Sequence, residues 1–188
     1  GTNGEVLTRI PEFYYTRYQE TVGNVTTEYQ KISNEALPGY IKSDVFSVGR
    51  YTISGAANDV HSRSGVQPLV NTNITNFRRY IQETTTLGSD FGQLDYRIFI
   101  LQLLYLVEYA DYNSQAKLGL GHVYSPTYEN GGRPVNSGGT DTLGMTSGTL
   151  TDDGKHSVTY RGIEDIFGNI WQFVDGINIK EYVTYICT

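Results

Sequence analysis

One apolar run, IFILQLLYLV at residues 98–107, constrains this chain more than any other feature. Only Gln102 interrupts it, and it continues through Glu108, Tyr109 and Ala110. Strands usually end near about eight residues, so a run of this length reads as a helix that is apolar nearly all round and buried on several sides. Asp95 is its candidate N-cap. The run is too short to cross a bilayer, which leaves it as the spine of a core. The polar opening GTNGEV has neither the charged nor the apolar region of a signal peptide, so no membrane insertion is expected.

Around that spine the chain has 188 residues, enough for a single domain over 1–188 with a real core. Its one cysteine, Cys187, can form neither an internal disulfide nor a thiolate cage, so packing must hold the fold and Cys187 reads as a small strand residue. With 14 Lys and Arg against 20 Asp and Glu, the net charge of -6 opposes a phosphate backbone, and no nucleic-acid partner is expected. The mixture of 16 Tyr and 21 Gly with only 18% charged residues leans towards recognition. Tyrosine offers a large contact area for little lost rotamer freedom, and Gly, Ser and Asn adapt around it.

Other segments read as follows. Residues 6–18 alternate well enough for one or two strands, with Pro11 at an edge or bulge. Residues 23–40 read as a polar hairpin or loop ending at Pro38-Gly39, and residues 45–53 as a strand closed by Gly55. Asn71 to Asn73 offer caps for a short amphipathic helix carrying Ile74, Phe77, Tyr80 and Ile81, with Arg78 and Arg79 on its wet side. Residues 121–157 show no period and predict a long irregular surface region. Residues 157–160, 170–174 and 182–186 read as strands, the last abutting residue 188 as though the chain were cut from something longer.

The tract YRGIEDIFGNIWQFVDGINI, residues 160–179, resembles a signature of bacteriophage tail and virion proteins with C-type-lectin-like domains, related to the formylglycine-generating-enzyme branch of that fold. In that branch a GNVWEW segment follows a short glycine-bearing turn, and Gly168, Asn169, Ile170, Trp171, Gln172 and Phe173 match it position by position. LVEYA, residues 106–110, is similar to the WEYA end of the family's long helix, and IPEFYY, residues 10–15, to the first strand of many phage members. The resemblance implies an α+β, C-type-lectin-like fold with two main helices on small antiparallel sheets and a long irregular loop region. It implies a virion location on tail or head, with other virion subunits as partners and homotrimers as the usual assembly of phage fibres. No heptad supports an oligomer here.

Physical reasoning assigns the same residues structural work. Gly168 permits a tight turn, Asn169 caps or bridges it, and alternation puts Trp171 and Phe173 on one side of a strand as core anchors. Glu108, in an apolar helix, is expected to be buried and compensated by backbone amides or by Arg161. Chemistry finds little purchase. The related oxidase activity needs reactive thiols, and Cys187 lies outside the matched motifs. Calcium-dependent sugar-binding motifs like EPN or WND are absent, and Asp152, Asp153 and Gly154 read as a turn, with Asp141 near them only in sequence. His61, His122 and His156 lack the close spacing of a zinc site and read as surface residues. Asn24 and Asn73 begin glycosylation sequons that carry no weight without export.

The expectation is therefore a non-catalytic domain, without metal or cofactor, that attaches a phage to a host receptor or glycan. Its contact residues would be Tyr124, Tyr128, Asn130, Arg133 and Asn136 in the long loop, since aromatic and guanidinium groups dominate contact energy. The rival expectation is decoration, in which the domain docks to other capsid or tail subunits.

Overall fold

A computed structural model describes residues 5–84, 87, 89–124, 134–147 and 153–187. The architecture is mixed α+β, with small antiparallel sheets and few helices. The chain forms two compact units: one from Arg9–Ser47 and Arg97–Tyr112, the other from the described parts of Gly1–Thr8, Val48–Tyr96 and Asn113–Thr188.

In the first unit, β2 (Phe13–Val22) and β3 (Val25–Ser33) form a long antiparallel hairpin, and β4 (Ile41–Ser43) pairs with the start of β2. Gly23 opens the two-residue turn at φ +62°, where a hairpin turn requires the left-handed region. Most of β3 is exposed, so cross-strand pairs rather than burial hold it. Tyr18 stacks on Tyr29 at 5.0 Å, and Lys31 donates to the Tyr18 hydroxyl at 2.7 Å. On the opposite face Arg17 meets Glu28 at 2.6 Å. The apolar run becomes the helix α2 (Arg97–Tyr109), which buries Leu101, Leu103, Leu104 and Tyr105 and packs against β3. Phe99 remains exposed, so the helix is less enclosed than its composition suggests.

The second unit holds α1 (Ile74–Glu83), capped by Asn73, whose side chain accepts from the Asn76 amide at 2.9 Å. Arg78 and Arg79 are exposed, as their helical spacing predicts. The helix packs on β7 (Asp59–His61), which pairs with β6 (Ser54–Ala56), and Val60, Ile81 and Leu87 form a core flanked by Ile53, Leu69 and Tyr80. A short α3 (Ser114–Leu118) follows. Then β8 (Thr159–Tyr160) and β9 (Ile163–Glu164) close on Arg161-Gly162, and β10 (Ile177–Lys180) and β11 (Val183–Ile186) close on Glu181-Tyr182. Both central residues of each turn have positive φ, the pattern whose twist matches the flanking strands.

β1 (Leu7–Ile10) pairs with β5 (Phe46–Gly49), and Pro11 falls between β1 and β2, in neither strand. Residues 170–174, expected as a strand, form none; Gly168 and Asn169 at φ +85° and +61° turn the chain just before it. Cys187 lies one residue beyond β11 and is exposed. Among the described residues no helix is long and apolar enough to cross a membrane.

Candidate functional site

The segment 160–179 carries a buried polar network in the second unit. Glu164, at the end of β9, is buried, and its carboxylate is fully used: Oε1 accepts from the Gly138 amide at 2.7 Å, while Oε2 accepts from the Thr140 amide at 2.8 Å and hydroxyl at 2.5 Å. Next to it Asp165 sits at φ +51°, equally buried. Its Oδ2 accepts from Asn169 Nδ2 at 2.9 Å and the Ser157 hydroxyl at 3.2 Å, while Oδ1 has no hydrogen-bond partner among the described residues. Burial pushes the Asp165 carboxyl up to about 6, against hydrogen bonds from Asn169 and Ser157 that favour its charged form.

Asn169 rivets this network to two distant stretches. Its amide donates to the His122 carbonyl at 2.9 Å, and its side chain exchanges hydrogen bonds with both backbone groups of Val135, at 3.0 and 3.2 Å. Gly168 is required beside it, because a methyl group there would lie 2.9 Å from the His122 nitrogen at a left-handed φ. Gln172 donates to the Asp165 carbonyl at 2.8 Å.

The aromatic residues of the motif do the opposite of what alternation predicts. Trp171 has a relative exposure of 101%, and Phe173 is exposed apart from an edge contact with Phe77 at 6.0 Å. Neither anchors the core; the turn at Gly168 and Asn169 cancels the strand period on which that expectation rested. The buried groups of the motif are Asn169 and the acids before it. The buried acid is not the expected one either. Glu108 is exposed near the end of α2, whereas Glu164 is enclosed. Arg161 occupies the β8–β9 turn, with its Nε donating to the Tyr160 hydroxyl at 3.2 Å.

Of the proposed contact residues, Tyr124 is exposed, with the Lys155 ammonium 4.7 Å from its ring centre, and its amide donates to the Gly154 carbonyl at 2.8 Å. Asn136 is exposed and donates to the Gly65 carbonyl at 3.2 Å. Tyr128, Asn130 and Arg133 lie outside the described residues, as does Asp152. The irregular region has neither helix nor strand among its described residues, yet it is not wholly superficial: His122, Ser137, Thr140, Thr146 and Ser157 are buried.

Two acids outside this network are also engaged by donors. Asp141 accepts from the Tyr51 and Ser64 hydroxyls, which hold its carboxyl below the usual range, while burial pushes the Tyr51 hydroxyl up. Asp153 accepts from the Lys155 amide at 2.9 Å, the turn expected there. His61 and His122, read as surface residues, are both buried; only His156 is exposed. Among the described residues no three His, Cys, Asp or Glu side chains gather as a metal site.

The C-terminal hairpin is exposed along most of its length, including Ile179, Val183, Tyr185 and Ile186, and Tyr182 at its tip is fully exposed at φ +65°. No protein-family model, curated protein or solved structure matches the chain.

Proposed function

We propose that this chain is a non-catalytic recognition domain of a bacteriophage particle, with a C-type-lectin-like fold, that attaches to a host-surface receptor or glycan. The observation that carries the reading is the setting of Trp171. A fully exposed indole stands two residues after Asn169, whose side chain and amide are committed to Asp165, Val135 and His122. A large aromatic on a stiff base loses little entropy when it binds, which is what contact hot spots require. Tyr182 adds a second exposed ring in a backbone region that costs a bulky residue energy, and strain of this kind gathers where function demands it. The contact surface therefore moves from the loop alone to Trp171 and Tyr182, with Tyr124 retained. A non-catalytic role agrees with Glu164 and Asp141, whose oxygens are taken up by hydrogen-bond donors.

The test is adsorption of particles carrying Trp171→Ala to host cells. Removing a hot-spot aromatic costs about 2 kcal/mol or more, so adsorption should fall by about 30-fold with folding unchanged. Unaltered adsorption would remove the reading.

Decoration of the particle is the second reading, favoured by β10 and β11. A two-stranded hairpin is marginal in water by itself, and the face bearing Ile177, Ile179, Thr184 and Ile186 suits burial against another virion subunit. Hydrogen-exchange protection over residues 177–186 that appears only in assembled particles would favour it over attachment.

A further inference from the structure

His61, at the end of β7, is enclosed with a carboxylate on each ring nitrogen: Nδ1 lies 2.6 Å from Glu5 Oε1 and Nε2 lies 2.5 Å from Asp59 Oδ1. A neutral imidazole has one N–H and one lone pair, so it can serve only one of two anions; both contacts together require the imidazolium. The two partners differ. The Asp59 side chain stands 76% in water, whereas that of Glu5 is only 18% exposed. Glu5 also accepts from the Ser62 amide at 2.6 Å through its other oxygen. Around it Val6 is sewn to the same stretch: its amide donates to the Ser62 carbonyl at 3.1 Å, and its carbonyl accepts from the Ser62 hydroxyl at 3.0 Å and the Arg50 amide at 2.8 Å.

We propose that His61 is a pH-operated clasp, whose imidazolium holds the segment at Glu5 and Val6 against β7 and whose loss of a proton loosens that segment while β7 stays in place. A neutral ring keeps an N–H for Glu5 only by surrendering Asp59, and the enclosed carboxylate then faces an uncharged partner. The other charges around the ring are few. Arg63, just beyond β7, disfavours the imidazolium. β6 brings the Ser54 hydroxyl, which donates to the His61 carbonyl at 3.0 Å. On α1, Arg78 is engaged by Asp175, and Arg79 is 3.8 Å from Glu83. Burial works against the charged ring, but the bonds to Glu5 and Asp59 outweigh it, so its pKa is raised above 6.5. The hold is therefore complete below that ordinary value and is lost as pH rises through the raised one. β7 does not depend on the clasp, because the Val60 amide is held separately by the Thr84 hydroxyl at 3.1 Å.

Amide hydrogen exchange of the intact chain across the His61 titration, followed in parallel by the ring's own NMR shifts, tests this. Exchange at Val6 and Ser62, corrected for its intrinsic pH dependence, should rise by ~10-fold or more as His61 loses its proton, while Val60 stays protected. Glu5→Gln should lower the pKa of His61 and speed exchange at Val6 at every pH. His61→Gln, where it folds, should abolish the pH dependence. Protection of Val6 that ignores the His61 titration, or a His61 pKa below 6.5, would overturn the proposal.

Discussion

Glu164 and Thr140 are joined twice through a single carboxylate oxygen, which takes both the backbone amide and the hydroxyl of Thr140. With the Gly138 amide on the other oxygen, three donors converge on one buried anion 24 to 26 residues away in sequence. Charge-assisted bonds of this kind are the strong ones, and leaving a donor unmet inside a protein costs more than forming the bond gains. Glu164→Gln places an amide NH2 against donors on one side. It should destabilise the chain by about 2–4 kcal/mol, read as a lower denaturant midpoint at unchanged slope.

Asp165 should make stability fall as pH rises. Its folded pKa, about 6, lies above the ordinary 3.8, so the folded state binds its proton more tightly than the unfolded state does. The contribution is therefore complete below 3.8 and lost as pH rises through about 6, and by linkage its full size is about 3 kcal/mol. Asp165→Asn keeps an acceptor for Asn169 without the buried charge. Thermal melts between pH 4 and pH 7 should show a flatter profile in the variant, which should melt higher than the parent at pH 7; matching profiles would show that Asp165 does not titrate there.

The legible parts of the fold were those in which neighbours in sequence are also neighbours in space. The run at 98–107 and the cap at Asn73 announce α2 and α1 through spacing alone. β3 gave a weak signal because VTTEYQKIS has no buried face; Tyr29 and Glu28 find their partners, Tyr18 and Arg17, on the other strand. Trp171 misled for a related reason. Alternation implies a strand only if backbone dihedrals stay extended, and Gly168 and Asn169 do not. The burial of Glu164 and of His61 depends on Thr140 and Glu5, partners too remote for any local pattern to reveal.

Gly168→Ala should be more damaging than an ordinary surface substitution. The position has φ +85°, and the added methyl would meet the His122 nitrogen, so either the turn or the 121–122 stretch must shift. The expected loss is about 2 kcal/mol or more. Since the same turn presents Trp171, indole fluorescence should also change in the folded state, whereas a loss of stability with an unaltered indole signal would separate Trp171 from the turn.

The tip of the C-terminal hairpin sets stability against contact. Glu181 and Tyr182 both occupy left-handed backbone, where Asn-Gly is the favoured pair, and Tyr182 is fully exposed. Replacing Glu181-Tyr182 by Asn-Gly should stabilise the hairpin by about 1 kcal/mol, seen as slower amide exchange at Lys180 and Val183, the paired residues flanking the tip. If Tyr182 is retained for contact, the same double substitution should weaken adsorption to host cells despite the firmer hairpin. A variant that is both more stable and equally adsorbed would assign the strained tyrosine no part in recognition, leaving Trp171 to carry it alone.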